Sequence, residues 1–225
     1  MANEKLGKTL EQAVCLLYGA KYNGEYIYSM EEAHCIKDLL QKLVSVFPHK
    51  LNHVAKNRNR YDFETDDKTA QLSCKSSKKE GKVCPQVIGQ PTRERFCNFF
   101  NIELISDLEI VKEKIKEYIQ KNIHSLLEAY ISYTFDCPII YYNEHKDVRL
   151  FIKLKESIDW TKNYIVFSHI LKNKVWNESS TISIDKIKIG EFQIHNHRNN
   201  VKFRWYLENI LQLFKDNFEI VDLSL

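Results

Sequence analysis

A chain of 225 residues with 44% apolar and 28% charged residues is long enough to bury a core and ordinary in composition for a globular protein. A net charge of only +3 excludes a uniformly basic nucleic-acid coat, and no run of eighteen apolar residues is present to span a bilayer, so a soluble, cytoplasmic single domain over residues 1–225 is expected. The six cysteines, at 15, 35, 74, 84, 97 and 137, form no CxxC pair, which predicts reduced thiols rather than a disulfide framework or a zinc site.

Leu6, Leu10, Val14, Leu17 and Tyr18 recur at helical spacing, and Glu4 and Glu11 interrupt any continuous apolar run, so the first twenty residues predict a helix rather than a signal peptide. A second helical pattern runs from Glu31 to Val46 and stops before Pro48. Arg60 to Thr65 and Thr69 to Ser76 read as two short strands around an Asp66-Asp67-Lys68 turn. A polar loop from Ser77 to Thr92 carries Gly81, Pro85, Gly89 and Pro91. One long helix is expected from Asp107 to Tyr133, with Leu108, Val111, Ile115, Ile119, Ile123, Leu126 and Leu127 on one face. Strands follow at Val148 to Leu154, Tyr164 to Ser168, Thr181 to Ile184 and Lys186 to His195, then a helix from Phe203 to Phe214 and a strand from Phe218 to Leu223. That order predicts a mixed α/β domain in which Tyr130, Tyr133, Phe135, Tyr141 and Tyr142 serve the core rather than base stacking.

The chemistry starts at Arg60-Tyr61-Asp62-Phe63 and at Ser73-Cys74-Lys75, which begins eleven residues after the aspartate. Residues of like parity share a strand face, so a turn at 66 to 68 can set Asp62 beside Lys75. Hydrolysis of a phosphodiester at neutral pH calls for a hard cation such as Mg²⁺ held by carboxylates, and for a lysine that orients the attacking water and steadies the phosphate. Asp62 and Lys75 suit those two tasks, although an ordinary surface hairpin accounts better for the pair taken in isolation.

These residues resemble the PD-(D/E)xK superfamily of nucleases, in particular its type II restriction endonucleases. Tyr61 stands in the proline place of the first motif, and Ser73 in the acidic place of the second. The resemblance covers residues 6 to 18 and 60 to 97. It implies a restriction-endonuclease-like mixed central sheet flanked by helices, with Asp62 and Glu11 on Mg²⁺, Lys75 positioning water, and Ser73 in the site without direct metal charge. Glu11 replaces the missing acid because Leu6 to Val14 is similar to the family's first helix; Glu64 and Glu94 are the alternatives. It further implies cleavage of double-stranded DNA by a homodimer, a two-fold protein matching a palindromic site. The size and the amide-rich loops are similar to those of family members that cut rare AT-rich sites.

Basic residues cluster in Lys50 to Arg60, Lys75 to Lys82, Arg93 and Arg95, and His195 to Arg204. Lys78, Lys79, Lys82, Gln86, Gln90, Thr92, Arg93 and Arg95 are expected to meet DNA, lysine and arginine at phosphates and glutamine at adenine edges. A second contact loop is expected at His195, Asn196, His197, Arg198 and Asn199. With no third ligand nearby, its two histidines fit DNA contact better than zinc. Two other readings stay open: a non-cleaving DNA-binding protein using the same basic loops, and an RNA-processing nuclease preferring single strands.

Overall fold

The computed structural model describes residues 3–56, 59–104 and 107–224. In chain order, helices α1 (Asn3–Tyr18), α2 (Met30–Leu39) and α3 (Leu43–Val46) precede strands β1 (Asn52–His53), β2 (Phe63–Glu64), β3 (Gln71–Ser77) and β4 (Lys82–Val83). Helices α4 (Arg93–Phe99), α5 (Leu108–Lys121) and α6 (Ile123–Thr134) lead to β5 (Ile139–Asn143) and β6 (Val148–Leu154). Then come β7 (Ile165–Phe167), α7 (Ser168–Leu171), β8 (Ser179–Ile184), β9 (Ile187–Gln193), β10 (Lys202–Tyr206), α8 (Leu207–Leu213) and β11 (Phe218–Asp222). Two compact units result: Met1–Gly81 with Phe135–Glu156 and Asp216–Leu225, and Lys82–Thr134 with Ser157–Lys215. Among the described residues, no helix is long and apolar enough to cross a membrane.

The first unit holds a mixed sheet in the order β1-β2-β3-β5-β6-β11, parallel only between β3 and β5. Leu6, Leu10, Ala13 and Val14 recur on one face of α1, and they bury against Leu72, Ile140 and Phe151 of the sheet. Ser29 caps α2 by accepting the Glu32 N–H at 3.2 Å. The helix expected as far as Val46 breaks after Leu39. Tight three-residue turns, Leu43 N–H to Leu40 O at 2.9 Å and Ser45 N–H to Lys42 O at 3.2 Å, keep Leu40, Leu43 and Phe47 all in the core. Strand β5 was not expected. Its residues are buried at every position between β3 and β6, so it lacks the alternation that marks a half-exposed strand.

The second unit holds an antiparallel sheet in the order β4-β10-β9-β8-β7. Tyr130 of α6 stacks on Phe203 at 4.2 Å, and Trp205 Nε1 donates to Thr134 Oγ1 at 2.9 Å. Gly190 is required there, since a Cβ would stand 2.7 Å from the Phe203 ring. The single long helix expected from Asp107 to Tyr133 is two. Asn122 ends α5, its N–H and its side-chain Nδ2 both donating to the Tyr118 carbonyl at 2.9 and 3.0 Å, and the apolar stripe resumes in α6. The helix expected from Phe203 begins only at Leu207. Residues 202–206 alternate half-buried and buried, a period of two that pairs with β9.

Candidate active site

In the first unit β2 and β3 form an antiparallel hairpin, Phe63 opposite Leu72 and Glu64 opposite Gln71. Lys68 supplies the left-handed turn residue (φ 58°), and Thr65 Oγ1 donates to Asp67 Oδ1 at 2.6 Å. Asp62 lies just before β2, where the ladder ends. Ser73 N–H donates toward β5, to Pro138 O at 3.1 Å, so the next amide faces the side that β2 no longer reaches. The Asp62 carboxylate fills that place and accepts the Cys74 N–H at 2.7 Å. Side chains alternate along β3: Leu72 and Cys74 pack on the α1 core, while Ser73, Lys75 and Ser77 are buried on the other face.

Glu11 reaches this place from α1, only 7% exposed. Its Oε1 accepts from Lys8 Nζ at 2.9 Å, one helical turn away. Its Oε2 lies 3.1 Å from Nε2 of His53, which is 1% exposed. Pairing of β1 with β2 sets His53 opposite Phe63, next to Asp62. The Asn23 N–H donates to His53 Nδ1 at 3.0 Å, so the neutral ring carries its proton on Nε2 and donates it to Glu11. Tyr22 stacks on the same imidazole at 4.7 Å. Arg60 is ion-paired with Asp136, which ties the chain just before Asp62 to the segment entering β5.

Burial is the largest cause holding the Asp62 carboxyl above its ordinary value of 3.8; Lys75 opposes it, the charge of Glu11 adds to it, and the Cys74 N–H and Lys8 oppose. Burial and the same two carboxylates push the Cys74 thiol well above its usual range, which makes it a packing group rather than a nucleophile. Two carboxylates close enough for Glu11 to add to the raising of Asp62, beside a buried lysine, form an oxygen-rich position that suits a hard divalent cation such as Mg²⁺.

The structure therefore brings Glu11, Asp62 and Lys75 together, with Ser73 buried beside them at 1% exposure. Of the alternative acids, Glu64 is half-buried opposite Gln71, and Glu94 is exposed in the first turn of α4, in the other unit. Lys8, His53 and Asp136 were not singled out from the sequence. For Lys8 the signal was its i,i+3 spacing to Glu11; for His53 it was masked by the basic stretch Lys50 to Arg60, of which Asn57 and Arg58 lie outside the described residues.

Among the residues expected to meet DNA, Lys79, Gln90, Thr92, Arg95, Asn196, His197, Arg198 and Asn199 are exposed, while Lys78, Lys82, Gln86 and His195 are half-buried. Thr92 caps α4, accepting the Arg95 N–H at 3.2 Å. Lys82 pairs with Glu191 at 3.3 Å and lies 5.0 Å from the centre of the Tyr206 ring. For Arg93 the expectation is corrected: it is 2% exposed, and its guanidinium donates to the carbonyls of His195 at 2.7 Å and Arg198 at 3.3 Å. A buried cation whose donors serve backbone carbonyls clamps the loop instead of meeting a ligand. The expectation that His195 and His197 have no third ligand nearby is also corrected. Glu178 Oε2 lies 3.0 Å from His195 Nδ1, and ligand atoms of Glu178, His195 and His197 all lie within 4.8 Å of one another.

No family model and no solved structure matches the chain. It is 42% identical over 221 residues to the type II restriction enzyme CviAII of Paramecium bursaria Chlorella virus 1. That similarity takes in 98% of this chain, which spans 63% of the length of the relative.

Proposed function

We propose that this chain is a type II restriction endonuclease of the PD-(D/E)xK kind, hydrolysing phosphodiester bonds of double-stranded DNA at a specific sequence with Mg²⁺. The observation that carries the reading is the meeting of Glu11 from a helix with Asp62 and Lys75 from one hairpin, in a chain similar to an enzyme of that name. Glu11 and Asp62 would hold the cation, which would supply positive charge against the negative charge of the phosphate oxygens. Lys75 steadies the scissile phosphate and the attacking water; the water oxygen bonds to phosphorus and gives up a proton as the P–O bond to the leaving sugar breaks, and the departing oxygen takes a proton up. His53 holds Glu11 in place through its Nε2–H. Exposed Lys79, Gln90, Arg95, Asn196, Arg198 and Asn199 supply contacts to phosphates and base edges. A homodimer matches a two-fold site, and reduced cysteines fit a cytoplasmic enzyme.

The test is digestion of a mixed-sequence plasmid with Mg²⁺ and with EDTA. Discrete fragments with Mg²⁺ alone are expected, and Asp62→Ala and Lys75→Ala each lose at least about a hundredfold in rate. Retained cleavage by both variants ends the assignment, binding without cleavage marks a non-cleaving DNA-binding protein, and a preference for single-stranded RNA marks an RNA-processing enzyme. His53→Gln is expected to act on the cation rather than on the chemistry. The Mg²⁺ concentration for half-maximal cleavage rises about 10- to 100-fold, with the rate at saturating Mg²⁺ near the parent's. A lowered saturating rate at unchanged Mg²⁺ dependence contradicts that role.

A further inference from the structure

We infer that Glu178, His195 and His197 form a binding site for a divalent transition-metal ion of the zinc class, in the unit that does not hold Glu11, Asp62 and Lys75. Two imidazoles and one carboxylate are a borderline nitrogen-rich donor set that suits Zn²⁺ or Co²⁺ and not Mg²⁺, which favours an all-oxygen shell. The three ligand atoms already lie within 4.8 Å of one another, so small side-chain rotations close the set.

The surroundings hold these residues in place. Glu178 immediately precedes β8, and its backbone carbonyl accepts the Ile194 N–H at 2.7 Å, which fixes the end of β9 against it. Its Oε1 accepts the Asn196 N–H at 3.1 Å, while Arg93 grips the carbonyls of His195 and Arg198 from beneath. Lys112, 3% exposed, donates to Asn196 Oδ1. The loop between β9 and β10 is therefore pinned at its backbone on either side of His197, and the His195 and His197 ring centres lie 5.3 Å apart. His197 is exposed, which leaves the remaining coordination position to water. A bound ion staples the β9–β10 loop to the start of β8 and presents Arg198 and Asn199 in one conformation, while His195 and His197 become ligands rather than DNA contacts.

The test reads metal binding, so its failure is separate from failure of the nuclease reading. Chelator-stripped protein carrying Asp62→Asn, which blanks the carboxylate pair of the first unit, is titrated with Zn²⁺ by calorimetry and with Co²⁺ by visible absorption. One equivalent is expected to bind in the presence of millimolar Mg²⁺, with ligand-field bands for Co²⁺. Adding His197→Ala or Glu178→Gln to that background weakens binding by more than about tenfold, the least seen when a mere outer-shell partner is lost. His197 is an exposed loop residue, so its variant keeps the fold, as circular dichroism will show. Absence of bound Zn²⁺ at micromolar protein, or variant isotherms that superimpose on the parent's, overturns the site.

Discussion

Asp62→Asn is expected to abolish DNA cleavage and at the same time to raise the melting temperature of the metal-free protein. The carboxyl is raised above its ordinary 3.8 chiefly by burial, with Glu11 adding repulsion that Lys75, the Cys74 N–H and Lys8 do not fully offset. For an acid with a folded-state value above its unfolded one, the associated stability is fully present below the unfolded value and is lost as pH rises through the folded value. At neutral pH the parent protein has lost that contribution. Asparagine resembles the protonated acid, keeps an oxygen for the Cys74 N–H, and so retains it. The gain should shrink as pH is lowered toward 4 and the parent's own carboxyl is neutralised. Mg²⁺ reverses the order: bound at a hundred times its dissociation constant it stabilises the parent by about 2.7 kcal/mol and leaves the variant unmoved. Parent cleavage should also decline on acidification above the usual carboxylate range, because the ionised form is the ligand. Thermal melts of both proteins across pH, with and without Mg²⁺, check all of this. A lower melting temperature for the metal-free variant at pH 7 would show Asp62 to be a structural group.

This tension between stability and chemistry also bears on what was readable in the sequence. Local signals carried far: the α1 stripe placed Glu11 on its flank, and the turn at 66 to 68 with strand parity set Asp62 and Lys75 on one hairpin. What lay hidden was non-local. His53 joins Glu11 only because a two-residue strand, β1, pairs with β2, and so short an element leaves no periodic trace. Glu178 meets His195 beside the end of the β8–β9 strand pair, seventeen residues away in the chain. Asn122 interrupts an apolar stripe that continues unbroken on either side, so periodicity alone joins α5 to α6. Strands β5 and β10 were missed for different reasons, one having no exposed face and the other being short enough for its alternation to merge with the helix that follows. Arg93 shows the limit of reading charge by type, since an arginine in a basic, amide-rich loop is the residue that builds that loop.

Lys75→Met should also abolish cleavage, but with the opposite effect on stability. Lys75 is 9% exposed, and among the groups acting on Asp62 it is the strongest that favours the ionised carboxyl. Methionine fills most of the same volume without the cation, which leaves Asp62 and Glu11 facing each other with Lys8 as the remaining positive neighbour. Removing the cation that most favours the ionised Asp62 carboxylate is destabilising, by an amount limited because Asp62 can take up a proton instead. The destabilisation should therefore be largest near neutral pH and fade on acidification, as the Asp62 carboxyl, now raised further, becomes neutral. Combining Lys75→Met with Asp62→Asn should return the melting temperature toward the parent's, with a coupling of about 0.5–3 kcal/mol in a double-mutant cycle. The two single variants then separate binding from chemistry. Lys75→Met keeps both carboxylates and should still be stabilised by Mg²⁺, while its cleavage rate at saturating Mg²⁺ falls by about a hundredfold or more. Asp62→Asn should show neither response. If Mg²⁺ fails to stabilise Lys75→Met, the lysine is part of the cation site itself, and its assignment to the water and the phosphate is wrong.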